Sequence, residues 1–103
     1  MHYVDEGSGP ALLLVHGNPT WSFYFRSVIQ ELKDQFRVIA PDHIGSGYSQ
    51  KPKSFSYRLK DHTNNLGELI NHLGLSSVNL GVHDWGGAIA LGWATEQPSR
   101  VSS

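Results

Sequence analysis

A chain of 103 residues can build one domain with a real core, and 39% hydrophobic against 17% charged residues is ordinary for a folded protein. A net charge of −1 offers nothing to hold phosphates, which argues against nucleic-acid partners, and the lack of cysteine excludes a disulfide framework and thiol chemistry. The longest apolar run, Ala11 to Val15, is too short for a bilayer, and the start of the chain lacks the basic and apolar parts of a secretion signal; a cytoplasmic protein with no membrane partner is expected.

His2 to Glu6 alternates weakly and reads as an edge strand closed by the turn Gly7-Ser8-Gly9-Pro10. Ala11 to Val15 is a continuous apolar run, the pattern of a strand covered on both faces. From Pro19 to about Lys33 a helix is predicted, with Phe25, Val28, Ile29 and Leu32 on one stripe. Arg37 to Ala40 is a second buried strand, followed by a loop from Pro41 to Pro52. A second helix is predicted from near Ser56 to Leu73, with Leu59, Leu66, Leu69, Ile70 and Leu73 on one face and Gly74 as its stop. Ser77 to Val82 reads as a last short strand and Ala88 to Ala94 as an apolar helix. Short apolar strands alternating with helices predict an α/β fold, a mostly parallel sheet with helices on both faces. In such sheets ligands bind beyond the carboxyl ends of the strands, where His16 to Asn18, Asp42 to Gly47 and Asp84-Trp85 all lie.

Asp84 sits where a strand turns into a helix with no loop between, and Gly86 and Gly87 allow close passage of helix and strand. A side chain at such a corner is aimed above the sheet, as in the nucleophile elbow of hydrolases. A carboxylate with an ordinary pKa near ~3.9 is ionised at neutral pH and needs no activating base. It suits displacement of a leaving group from sp³ carbon, a halide or a strained epoxide. The alternative is that Asp84 merely caps the following helix. Trp85 offers one indole N–H to a departing anion, or packs in the core. Asn18, ahead of Pro19, is a good helix N-cap and also an amide donor to the same anion; the two roles are compatible.

His16-Gly17-Asn18-Pro19-Thr20-Trp21, the run Pro41-Asp42-His43-Ile44-Gly45-Ser46-Gly47-Tyr48-Ser49 and Val82-His83-Asp84-Trp85-Gly86-Gly87 together resemble the haloalkane dehalogenases, α/β-hydrolase-fold enzymes that cleave carbon–halogen bonds in water. The likeness runs nearly end to end, and Met1 to Gly7 is similar to that family's second strand. It implies Asp84 as nucleophile forming an alkyl-enzyme ester, Asn18 and Trp85 as the halide-stabilising pair, a haloalkane and a halide ion as ligands, and no cofactor. The epoxide hydrolases share the aspartate and often the Trp after it, but usually carry Phe where this chain has Asn18 and Gly where it has Val82.

The resemblance further implies that residues 1–103 are the N-terminal portion of an α/β-hydrolase core, with the first strand, the cap domain and the C-terminal strands bearing the catalytic histidine absent. After Asp84 the sequence holds one acid, Glu96, and no histidine. The chain is therefore expected to be alkylated at most once. The competing expectation is a catalytically silent fragment that self-associates through the sheet edge left bare along Val78 to Val82. His83 should face away from Asp84 as a buried structural residue. Asp42 reads as a turn organiser. Gly45-Ser46-Gly47 lacks the third glycine of a dinucleotide fingerprint, and the six histidines show no zinc-like spacing.

Overall fold

A computed structural model describes residues 1–17, 20–53 and 57–103. Four strands, β1 (Tyr3–Glu6), β2 (Ala11–Val15), β3 (Arg37–Pro41) and β4 (Asn79–Val82), form one sheet in the order β1-β3-β2-β4. β2 pairs in parallel with both β3 and β4, and β1 runs antiparallel along the outer side of β3. The expected mostly parallel sheet is therefore present, with His2 to Glu6 on its edge.

Alternation along the strands splits the core in two. Leu13, Val15 and Ile39 face one way and pack with Leu66, Ile70, Ile89 and Trp93 from helices α2 (Leu59–His72) and α3 (Trp85–Glu96). Leu14, Val38 and Ala40 face the other way, against Phe25 and Ile29 of a 3₁₀ turn (Ser22–Phe25) and helix α1 (Arg26–Leu32). α2 and α3 cross closely because glycines face side chains there: a Cβ on Gly92 would lie 3.1 Å from Thr63 Oγ1, and one on Gly67 3.1 Å from the Trp93 ring.

Three boundaries differ from the sequence expectations. The start predicted for the first helix, Pro19, lies outside the described residues together with Asn18; Trp21 is extended, and helical structure among the described residues begins at Ser22. The second helix starts at Leu59, since Tyr57 has φ 58° and Arg58 is extended, conformations that no α-helix contains. The outer edge of β4 is not bare. Val78 bridges Val101 in parallel, the Val78 and Leu80 N–H groups donate to the Arg100 and Ser103 carbonyls, and Ser102 N–H donates to Val78 O. Chain arriving from α3 thus covers the Val78-to-Leu80 part of the edge along which self-association was expected. No helix among the described residues is long and apolar enough to cross a membrane.

Candidate active site at the strand-to-helix elbow

β4 ends at Val82 and α3 begins at Trp85, so the chain reverses through His83 and Asp84 alone. Asp84 takes φ 55°, ψ −126°. That is outside the left-handed well that aspartate occasionally visits, a conformation in which side chains other than glycine's are strained. Two close approaches hold it. His83 N–H donates to Val15 O at the end of β2, and the first turn of α3 lies on the same strand end, where a Cβ on Gly86 would meet Val15 O at 2.1 Å and His16 O at 2.6 Å. Only glycine admits the helix there.

The Asp84 side chain is exposed and makes no capping hydrogen bond to α3, which removes the capping alternative. It lies over the loop leaving β2: a Cβ on Gly17 would meet Asp84 Cβ at 2.6 Å and its Oδ2 at 2.8 Å. The residue after Gly17 is Asn18, outside the described residues. Trp85 is 54% exposed, so it is no core residue; with Gly17 it lines a cleft of about 390 Å³ whose other walls include His43, Tyr57, Leu59 and Ile89. His83 is half-buried and stacks on Tyr24, ring centroids 4.3 Å apart, with its Nδ1 making no hydrogen bond among the described residues.

Asp42 is fully buried and does the organising expected of it. Its carboxylate accepts hydrogen bonds from Ser22 N–H (2.7 Å) and Tyr48 N–H (3.2 Å), and pairs with His2 Nδ1 at 2.7 Å. Burial works to raise its pKa, but the bonds from Ser22, His2 and Tyr48 outweigh it and hold the carboxyl below its ordinary value.

A histidine array beneath the cleft had no signal in the sequence beyond two loops on one sheet edge. His16 and His43 are buried, their ring centroids 4.1 Å apart, and His62 lies 5.4 Å beyond His43. His16 Nε2 accepts from His43 N–H and its Nδ1 contacts Gly17 O at 2.6 Å, which fixes a neutral ring with its proton on Nδ1. The His43 Nε2–H in turn donates to His16 O. Burial pushes both pKa values down, that of His43 to about 4, with its His16 neighbour adding to the effect. No group of three such residues among those described could hold a metal ion.

The array makes stability depend on acid. His43 takes up a proton in the unfolded chain below the ordinary 6.5 but in the folded chain only near 4. Between those values the unfolded state binds more protons, so stability falls with falling pH, by at most about 1.4 kcal/mol per pH unit from this one group. Urea titrations from pH 7 to 4 should show the fall, and His43→Leu should lessen it, leaving the part from His16 and His62, whose pKa values burial also lowers; an unchanged slope would remove His43 as a source.

The model of the alpha/beta hydrolase fold matches residues 10–103. The chain belongs to the α/β-hydrolase fold family. Within that family it is 48% identical over 101 residues to haloalkane dehalogenase 2 of Mycobacterium tuberculosis, a match covering 98% of this chain and 35% of that protein. It is 44% identical to a cis-3-alkyl-4-alkyloxetan-2-one decarboxylase of Shewanella oneidensis (98% and 33% covered) and 44% identical to a soluble epoxide hydrolase of a Corynebacterium (98% and 35% covered). Among solved structures, the haloalkane dehalogenase DatA of Agrobacterium tumefaciens superimposes with a TM-score of 0.93 at 36% identity, covering 99% of this chain and 35% of that one. The chain thus spans about a third of the length of its curated relatives and corresponds to their N-terminal part.

Proposed function

We propose that this α/β-hydrolase chain carries the halide-displacing half of a haloalkane dehalogenase. An Asp84 carboxylate oxygen attacks the sp³ carbon that bears the halogen. The carbon–halogen bond breaks, its electron pair leaves with the halide, and an alkyl ester of Asp84 forms. The Trp85 indole N–H and the Asn18 side-chain amide donate to the departing anion, in apolar surroundings that strengthen both contacts. The observation that carries this reading is the strained, exposed, uncapped Asp84 with Gly17 against its carboxylate and Trp85 beside it.

Hydrolysis of that ester needs a base to activate water. Within residues 1–103 no histidine follows Asp84. Glu96 closes α3 at its far end, roughly 17 Å from the elbow at the helix rise of about 1.5 Å per residue. Asp84, Asn18 and Trp85 therefore account for one halide release, and a single turnover is the expectation for these residues alone.

Intact mass after incubation with 1-bromohexane should show a single hexyl adduct, mapped to Asp84 by peptide sequencing and missing from Asp84→Asn. No adduct on the parent chain would end the nucleophile assignment, and continued bromide release would end the single-turnover claim. The relative from Shewanella supports a second reading, in which the same carboxylate opens a strained oxetan-2-one at its sp³ carbon and the ring oxygen leaves as a carboxylate. An epoxide is the third substrate type, disfavoured by Asn18 and Val82 at the positions where those enzymes usually have Phe and Gly. Parallel incubations with a bromoalkane, an oxetan-2-one and an epoxide, ranked by adduct formation, separate the three.

A further inference from the structure

On the α1 side of the sheet lies a second cleft, of about 320 Å³, lined by β1, the 3₁₀ turn, α1 and Tyr48. We propose that it binds a small planar aromatic carboxylate, with the ring against Trp21, Phe23 and Tyr48 and the anion on the Arg26 guanidinium.

Three observations carry the assignment. The first is the surface on offer. Trp21 and Phe23 stack at 22° with centroids 5.5 Å apart, Tyr48 meets Trp21 edge-on at 5.1 Å, and His2 meets Tyr48 edge-on at 5.3 Å. Phe23 is 53% and Tyr48 73% exposed, so this aromatic cluster leaves ring area open to a guest. A volume near 320 Å³ is at the small end of ligand pockets and fits one or two fused rings.

The second is preorganisation. The three hydrogen-bond donors to the buried Asp42 carboxylate, His2, Ser22 and Tyr48, all line this cleft. One carboxylate therefore holds three of its walls. Gly47 lets the turn backbone sit against Trp21, where a Cβ would meet the ring at 2.7 Å. These bonds hold the backbone at Ser22 and Tyr48 and the His2 ring in place, which lowers the ordering cost of binding.

The third is charge. The Arg26 guanidinium lies 4.3 Å over the Phe23 ring and donates Nη1–H to Phe23 O at 3.1 Å, while the salt bridges found among the described residues join other groups, so its remaining N–H donors can meet an anion. His2 donates its Nδ1–H to Asp42, which leaves Nε2 of the neutral ring an acceptor, so His2 shapes the wall and does not hold the anion. A cation stacked on an aromatic face suits a planar carboxylate. Glu6, on β1, lines the same cleft and opposes the anion.

The test follows the indole ¹H–¹⁵N signals while 2-naphthoate is titrated into the full 103-residue chain. Saturable movement of the Trp21 signal, with Trp85 unmoved, is expected. The uncharged 2-naphthamide and the exposed-site variant Arg26→Gln should each weaken binding about tenfold, the scale of one charge-assisted pair, and Glu6→Gln should tighten it. Equal affinity for acid and amide, or an unaffected Arg26→Gln, would overturn the proposal. Movement of Trp85 instead would place the ligand at the elbow, and a Trp21 signal that shifts with protein concentration alone would assign the cleft to a second copy of the chain; either result overturns it.

Discussion

Asp84→Gly should make the chain more stable by about 1 kcal/mol while removing every alkyl adduct at the elbow. At φ 55°, ψ −126° the aspartate backbone is strained, a state that costs about 1–3 kcal/mol for a residue with a Cβ and almost nothing for glycine. Glycine loses more freedom on folding, which offsets roughly 0.5–1 kcal/mol of the gain, and the contacts of the carboxylate are lost with it. Asp84→Asn separates the two effects: it keeps the Cβ and the strain, so its stability should stay near that of the parent, yet it has no carboxylate to alkylate. Urea unfolding of the three chains, beside intact mass after bromoalkane exposure, tests both halves. A destabilised glycine variant would mean that residue 84 is not strained. An Asp84→Asn chain that still gains an alkyl group would move the nucleophile elsewhere. Strain at this one position is the stability cost of pointing a carboxylate out of the sheet, where a relaxed cap would have turned it back onto its own helix.

What could be read from the sequence was local. Leu13, Leu14 and Val15 alternate between two cores as a continuous apolar run implies, and the glycine pair after Asp84 announced a turn too tight for any loop. What escaped reading was set by partners distant in the chain. The first helical turn begins at Ser22 because its N–H finds Asp42, 20 residues on. α2 begins late because Tyr57, at φ 58°, packs its ring where Gly45 leaves room for it, and a Cβ on Gly45 would meet that ring at 2.5 Å. The edge of β4 is covered by residues beyond α3, which a strand pattern four residues long could not announce. The histidine array is of the same kind. His16 and His43 look like loop residues in sequence, and only the parallel pairing of β2 with β3 sets one loop on the other. The motifs thus brought the candidate residues to one sheet edge, while the groups that hold their surroundings in place were visible only in three dimensions.

Asp42→Ala should cost about 3–5 kcal/mol, the largest loss expected of any substitution away from the core, and for a chain of this size that approaches its whole stability. The buried carboxylate is the shared acceptor for Ser22 N–H, Tyr48 N–H and the His2 ring. Removing it leaves two backbone donors without an acceptor at roughly 1–3 kcal/mol each. The His2 contribution is smaller, because that imidazole is partly exposed and water screens the pair. Asp42→Asn is the informative companion. Its amide has one oxygen acceptor where the carboxylate has two, so about half of the loss should return. Acid provides an independent measure of the same group. Its folded pKa lies below the ordinary 3.8, so its stabilisation is complete above that value and is lost as pH falls through the folded pKa. That window is separate from the His43 window between 6.5 and 4, and the parent chain should lose stability in two steps. In Asp42→Asn the lower step should vanish while the upper one persists. A single step at the same position in both chains would show that the carboxylate is not the node tying β1, the first helical turn and the 45–49 turn together.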